Sequence, residues 1–405
     1  MSSSFEKRLS LINDVLSTVP PNSEICIDTT MKTFSNNIQL TKRIGSESVN
    51  AEAHLACFKK QKTDICQSLA VKLIPLHSKE LEVMKKKDVK EAMTTSLSAE
   101  INVLRLCTFL VESGVCPNLP VLYKYSVCNS CRFENENLNK RFLVEYGRNT
   151  NVPCLIAVNE FAQYGDLKSW SKKPHSDLEW AVAFFQIYAG LYVLQKYFNL
   201  THHDMHWGNV LVEENISQSS YQRYTIDGRD YFIPNIGYTF LLWDFGYVRI
   251  PDKIEISELN KYKYYARPDQ NPRKCVDYMR ITSAPLWAES EYKIPVSPIM
   301  EQFYAEIINA YNSETNFSAL FPQIFSDFFV PPPPNTIIVD KYNFDQNLPN
   351  LPKEFVWLLT SPNYINQKRI IFDTTAPPNT PISEQTANVV KDIALNGSVD
   401  MMDLD

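Results

Sequence analysis

Glycine is scarce in this chain. Ten glycines accompany 25 prolines in 405 residues, roughly a third of the ~7% that average usage would give. Any activity that depends on a glycine-rich loop must therefore operate with very few. No run approaches the ~18 uninterrupted apolar residues of a membrane span. The N-terminal stretch is broken by Glu6, Lys7, Arg8 and Asp14, so no apolar secretory segment is expected. Positive charge is not in excess either. Forty Lys+Arg against 46 Asp+Glu leave a net charge of -6, which excludes a chain-wide basic surface, so no nucleic-acid partner is expected. Nine scattered cysteines, an odd number, do not form the pattern of a disulfide framework and suit a reducing, intracellular compartment.

What is present is a core. Apolar residues make up 44% of the chain and aromatic residues 12%, enough for one or two folded domains. Phe5, Leu9, Ile12, Leu16 and Val19 recur at helical spacing and Pro20-Pro21 ends the run, so residues 1–37 read as an accessory helix and linker. From 38 to 158 the pattern is β-rich, with strands expected at Ser68 to Pro75, Val121 to Val127, Arg141 to Tyr146 and Leu155 to Phe161, around one helix from Ser96 to Glu112. From 159 to 373 it is mainly helical, most clearly over Leu178 to Phe198, with short strands at Val210 to Glu213 and Phe240 to Trp243. Pro331 to Pro334 make a polyproline step. Residues 374–405 hold five acidic residues against one Lys and read as a flexible tail. The fold class expected is α+β. Cys128 and Cys131 form one CxxC pair. Zinc would need partners, for which Cys116 and Cys154 are available, but no second CxxC exists, so these read as free thiols in a loop.

Three motifs carry chemistry. In Thr201-His-His-Asp-Met-His-Trp-Gly-Asn209, Asp204 lies five residues before Asn209, between a helix and an apolar strand. Phosphoryl transfer needs a carboxylate to orient the attacking hydroxyl and an amide oxygen to help hold magnesium, and this turn supplies both. Phe240-Leu-Leu-Trp-Asp-Phe-Gly246 is a buried strand followed by Asp244, an acid suited to magnesium. Leu69-Ala-Val-Lys72 ends a strand on a lysine that can reach α- and β-phosphates, and Glu100 can pair with it from the next helix. Singly, each has a structural explanation: a strand-end lysine is ordinarily solvated and a helix glutamate is ordinarily surface. The histidine cluster 202, 203 and 206 reads as loop bracing, since adjacent His202 and His203 point apart and Asn209 suits magnesium better than zinc.

In this order the motifs resemble those of the protein-kinase superfamily over roughly residues 38 to 310. The resemblance implies a bilobal kinase-like fold with ATP and Mg2+ in the cleft and a protein Ser/Thr hydroxyl as acceptor. It also implies roles: Lys72 and Glu100 orient the nucleotide, Asp204 is the catalytic base, and Asn209 and Asp244 hold metal. Ile44, Gly45, Ser46 and Ser48 correspond to the phosphate-covering loop, with Ala70 in the neighbouring strand. Glu160 and Ala162 lie in the hinge segment whose backbone binds adenine, and Asp166 sits where the ribose is contacted. Asp277 corresponds to a buried helix aspartate that supports the catalytic loop. Ile44-Gly-Ser-Glu-Ser-Val49 and Cys116-Pro-Asn-Leu-Pro120 are similar to the divergent kinases of large DNA viruses, which implies an intracellular location, in a host cell or a virion.

The chain departs from the family pattern at informative places. The phosphate loop keeps Gly45 alone, with Ser46, Ser48 and Ala51 as small substitutes, and weaker nucleotide binding is expected. His203 replaces the arginine that pairs with an activation-loop phosphate, so activity is expected not to await phosphorylation. His206 stands where a lysine is usual, and transition-state stabilisation is expected to be weaker or pH-dependent there. The long interval between Asn209 and Asp244 reads as an inserted hairpin turning at Asp227-Gly228. Ala-Pro-Glu is missing, and Tyr262, Tyr264, Tyr265 and Arg267 are the candidates to build a peptide platform. Two alternatives stay open: a small-molecule kinase, suggested by His206 and the missing Ala-Pro-Glu, and a kinase-like binding scaffold, suggested by the altered phosphate loop.

Overall fold

Antiparallel pairing of neighbouring runs builds the largest sheet of the molecule. A computed structural model describes residues 4–18, 33–35, 38–44, 51–59, 66–86, 88–131, 133, 152–215, 220–256, 259, 276–312, 324–325, 329, 331–348 and 350–359. Strands β1 (Thr33–Ser35), β2 (Ile38–Ile44), β3 (Glu52–Lys59), β4 (Cys66–Pro75), β5 (Leu122–Cys131) and β6 (Val152–Glu160) form a six-stranded sheet in the order β1-β2-β3-β4-β6-β5. The expected strand at Arg141 to Tyr146 and the acidic tail lie outside the described residues.

Helix α1 (Ser4–Thr18) precedes the sheet, and α2 (Ser78–Met84), α3 (Val89–Ala92) and α4 (Ser96–Glu112) fall between β4 and β5. The long helix α4 starts where expected because Thr95 and Ser98 form a reciprocal cap. It is buried over most of its length, including Glu100 and Asn102. Helix α1 buries Arg8, Ile12 and Val15, while Leu16 is exposed. Its inner face is thus rotated from the stripe expected through Leu9 and Leu16, and an arginine lies in it.

The second half is organised by α6 (Asp177–Phe198), which follows the short α5 (Leu167–Trp170). A Ser176/Glu179 capping box begins α6, and Asn199, at φ 54°, ends it in the left-handed conformation favoured by Asn. Apolar residues surround α6 almost completely, so it is a core helix. Phe184, Phe185 and Tyr188 meet Tyr224, Tyr278, Phe303 and Phe325 in edge-on, tilted and stacked ring contacts. Beside it, β7 (Gly165–Asp166), β8 (Val210–Glu214) and β11 (Tyr238–Leu242) form one small sheet. The inserted hairpin is β9 (Tyr221–Ile226) and β10 (Arg229–Pro234), turning at Asp227 and Gly228, both at positive φ. Strand β12 (Ile338–Asn343) adds to β9 in parallel, a pairing between segments over a hundred residues apart that no local pattern announces. Asp345 then accepts the Asp227 and Gly228 amides and an ion pair from Lys196. Helices α7 (Val276–Thr282), α8 (Ala284–Tyr292) and α9 (Pro298–Asn312) complete the described helices.

Contrary to the expectation of free thiols, Cys57 pairs with Cys66 and Cys131 with Cys154 as disulfides across adjacent strands. Sequence spacing could not show this, because strand pairing brings these side chains together. No helix among the described residues is long and apolar enough to cross a membrane.

Helix α6 approaches β11 closely at Gly190, where a Cβ would come within 3.0 Å of the Asn118 carbonyl oxygen and of Leu242. Backbone cannot yield cheaply there, so Gly190→Ala should lose about 1–3 kcal/mol through overpacking, despite alanine's better helix propensity. The check is the urea midpoint of the variant against wild type; an unchanged or higher midpoint would mean the contact relaxes freely.

Candidate active site

The alternating pleat of β4 sets Lys72 opposite Ala53 and Ala157 on the flanking strands, and these small neighbours leave room for its long side chain. Its Nζ lies 3.0 Å from Glu100 Oε1 on α4. Burial alone would lower the lysine pKa, but the Glu100 carboxylate, then Asp244, outweigh it and push it up to about 12. Lys72 is therefore a cation throughout the neutral range. Burial, helped by Asp244, raises Glu100 against the pull of Lys72, so the glutamate depends on the lysine for its charge.

The loop from His202 to Asp204 is held from below by one buried carboxylate. Asp277, at the start of α7 and fully buried, accepts the His202 amide at 2.7 Å and the His203 amide at 2.8 Å. These two bonds hold His203 at φ 66°, a left-handed conformation that is costly for a bulky side chain. Arg280, one helical turn after Asp277, donates to the His203 carbonyl at 2.9 Å, and its Nη1 lies 4.0 Å from Asp204 Oδ1. His202 donates from Nε2 to the Trp243 carbonyl at 2.9 Å and accepts the Asp204 amide on Nδ1 at 3.3 Å. The ring thus joins the loop to the strand that delivers Asp244, as a brace and not a metal ligand.

Asn209 donates from Nδ2 to the Asp204 carbonyl at 2.8 Å and to Asp204 Oδ2 at 3.1 Å, leaving its Oδ1 as the atom available to a cation. Trp243 donates its amide to the Asn209 carbonyl at 2.9 Å, which places Asp244 beside the loop. Asp244 is itself left-handed at φ 60°. Its Oδ1 accepts the Gly246 amide at 3.4 Å, and Ser96, in the first turn of α4, donates to the Gly246 carbonyl at 2.6 Å. A Cβ on Gly246 would meet that Ser96 oxygen at 3.0 Å, so glycine permits the contact that ties α4 to this turn.

His206 departs from the expected charge carrier. Its Nδ1 accepts the Gly208 amide at 3.0 Å, capping the short turn Trp207–Asn209. Burial lowers its pKa although Asp204, 4.0 Å from Nε2, opposes this. A ring that accepts an amide hydrogen and whose pKa lies below its ordinary value is neutral at pH 7. The cation beside Asp204 is instead Arg280.

The hinge side holds the residue that the motifs did not reveal. Arg8 of α1 forms a two-pronged ion pair with Glu160, one prong at 2.6 Å, and donates to the carbonyls of Pro117 and Leu119. The Glu160 side chain thus faces α1, and only its backbone remains for a hinge role. Glu213 is near the same guanidinium. Burial first, then Glu160, push its carboxyl up to about 7 against the lowering effect of Arg8. A signal for Arg8 was present: it stands four and seven residues before the buried Ile12 and Val15. Asp166 caps α5, its Oδ1 accepting the Ser169 amide at 2.7 Å. Ala70 and Ala162 flank the β4 and hinge segments, and Ile44 ends β2, while Gly45, Ser46 and Ser48 lie outside the described residues, as do Tyr262, Tyr264, Tyr265 and Arg267.

Two outcomes follow from these charges. Arg8→Ala leaves Glu160 buried without its counter-charge and should cost about 3–5 kcal/mol; the Arg8→Ala/Glu160→Gln double variant should recover much of this in denaturant unfolding, and an additive loss would show that the two do not act as a pair. His203 is held down to about 4, by burial first, with Arg249, His202 and Arg280 adding and Asp277 opposing. Its folded pKa is below the ordinary ~6.5, so its contribution to stability is complete above that pH and lost as pH falls toward about 4. Wild type should therefore lose up to ~3 kcal/mol more than His203→Gln on acidification over this window, at ~1.4 kcal/mol per pH unit. Glu213 works in the opposite sense, favouring the folded state less as pH rises from 4.5 to about 7, so the difference between the two chains is the quantity to measure.

The sequence profile described as Haspin like kinase domain matches residues 6–320. A protein of Acanthamoeba polyphaga mimivirus is 25% identical over 184 residues, 40% of this chain and 39% of its own length. One from Invertebrate iridescent virus 6 is 40% identical over 138 residues, 34% of this chain and 24% of its own, and one from Frog virus 3 is 28% identical over 158 residues, covering 38% and 17%. All three carry provisional serine/threonine-protein kinase names, and the chain spans well under half of each. With the profile matching most of its length and relatives in large DNA viruses, the chain belongs to the Haspin-like kinase domain family.

Proposed function

We propose that this chain is a protein kinase that transfers the terminal phosphoryl group of ATP to a Ser or Thr hydroxyl, in a cleft between a β-rich lobe over 38–158 and a helical lobe over 159–373. The observation that carries this reading is the Lys72–Glu100 ion pair, formed at 3.0 Å beside the charge of Asp244. A permanently charged, mostly buried lysine next to two carboxylates is a site for a polyanion with a divalent cation. The donor set fits Mg2+, which prefers hard oxygens: the Asp244 carboxylate and Asn209 Oδ1 would hold it. ATP would supply the transferable phosphoryl group, and the cation would offset its charge.

The chain's own residues then divide the work. Lys72, fixed by Glu100, would hold the α- and β-phosphates. Asp204 would accept a hydrogen bond from the acceptor hydroxyl and take its proton on a carboxylate oxygen. Asn209 and His202 keep that carboxylate and its backbone in place. Arg280, 4.0 Å from Asp204, supplies the positive charge that neutral His206 does not. The presence of all five polar residues in contact or in each other's field favours catalysis over a binding scaffold, and the kinase names of the viral relatives favour a protein acceptor over a small molecule.

Turnover of ATP with magnesium, read with generic protein acceptors and by self-phosphorylation, tests the proposal. Asp204→Ala should reduce transfer by about 10²–10⁴-fold while ATP still raises the melting temperature. Equal transfer by wild type and variant would overturn the catalytic assignment. Transfer confined to small-molecule hydroxyls would replace the protein acceptor. Because His206 is neutral, the wild-type rate should stay flat between pH 6 and 8; a rise in rate on acidification that His206→Asn abolishes would restore it as a charge carrier.

A further inference from the structure

We infer that Cys128, Cys131 and Cys154 form a thiolate site for a soft divalent metal ion, with zinc as the natural candidate. The site lies at the far end of β5 and β6 from the hinge and is independent of the kinase chemistry. Cys128 stands directly opposite Cys154 in the strand register, and an irregularity before Cys131 brings the second CxxC sulfur to the same point. The three sulfurs lie within 4.8 Å of one another, and all three residues are buried, with at most 2% exposure.

Three soft donors converging on one buried point have a specific chemistry. Zinc–sulfur bonds of about 2.3 Å in a tetrahedron put sulfurs ~3.8 Å apart; Cys131 and Cys154, disulfide-bonded here, would part to that span on reduction, and all three sulfurs already lie within 4.8 Å of one another. A disulfide between Cys131 and Cys154 uses two of these sulfurs, with the Cys128 sulfur in the same buried group. Metal coordination uses all three. The CxxC pair supplies two ligands from one strand and Cys154 the third from its neighbour, leaving one tetrahedral position for water or another donor. Loading requires the reduced state. Two electrons from a phosphine reductant open the Cys131–Cys154 bond to two thiols, the phosphine taking up oxygen from water. The three thiols then release three protons as the ion binds.

The full chain, purified with a phosphine reductant and without chelator, is analysed for metal, then stripped and titrated with Zn2+ and with Co2+. The expected results are one zinc per chain, a thiolate-to-cobalt charge-transfer absorption, and loss of both in Cys128→Ser but not in Cys57→Ser. Should Cys128→Ser fail to fold, alkylation of wild type decides: zinc should protect Cys128, Cys131 and Cys154 together, several-fold relative to the stripped protein. Reduced, folded wild type that takes up no cobalt, equal alkylation with and without zinc, or a Cys131–Cys154 bond that survives the reductant would each overturn the site.

Discussion

The buried carboxylate of Asp277 is the constraint on which the geometry of the candidate site rests. A charge taken wholly out of water is tolerable only if its oxygens are satisfied, and here the partners are two successive amides, those of His202 and His203. Accepting both forces the chain through a left-handed residue at His203. That turn places His202 against Trp243 and Phe245 and directs Asp204 toward Asn209. The Asn209 carbonyl then receives the Trp243 amide, and Asp244 follows. Each later contact in this series presupposes the earlier one, so the strain at His203 is maintained by surroundings that over-determine it.

The replacement of arginine by histidine before Asp204 has a physical meaning within that scheme. An arginine there would be a permanent cation beside Asp277, available to an activation-loop phosphate. His203 is buried and, at its lowered pKa, neutral, so the loop carries no charge at this position. The cation close to Asp204 arrives from α7 instead, because Arg280 lies one turn after Asp277 on the same helix face. One short helix thus supplies both the anion that shapes the loop and the cation that neighbours its carboxylate.

Much of this was legible in the sequence, and the boundary of legibility is physical. Lys72, Glu100, Asp204, Asn209 and Asp244 could be picked out as candidates because each sits on a local signature, a strand end, a helix or a turn of fixed spacing. Helix α4 was readable to the residue because its cap is local, and the hairpin because Asp227-Gly228 dictates its own turn. The commitment of the His206 ring to an amide two residues away was not legible, because standing in place of a lysine does not suggest that contact. The partner of Arg8, the parallel pairing of β12 and the convergence of Cys154 on the CxxC pair were illegible for another reason. They depend on which surfaces meet across long intervals of chain, and a single sequence does not encode that in any window.

Glycine scarcity, seen in this light, constrains close approach more than flexibility. Gly190 lets a core helix touch a strand, Gly246 admits a serine hydroxyl, and Gly208 leaves room for the His206 ring, whose Cε1 would stand 2.9 Å from an added Cβ. Turns that other chains give to glycine are here taken by Asn199, His203, Asp227 and Asp244 in the left-handed conformation. Asn and Asp tolerate that region because their short polar side chains bond locally, whereas His203 needs Asp277. The strain that glycine would have removed is therefore held at the residues flanking the catalytic carboxylate and at the candidate metal ligand. A site fixed in this way is rigid before any ligand arrives, which lowers the ordering cost of binding. The N-terminal helix extends the same logic to the hinge, since Arg8 holds both Glu160 and the carbonyls of Pro117 and Leu119. The family match begins within α1, and the contacts of Arg8 give that boundary a reason: the hinge carboxylate has no other described cation to neutralise it in an ion pair.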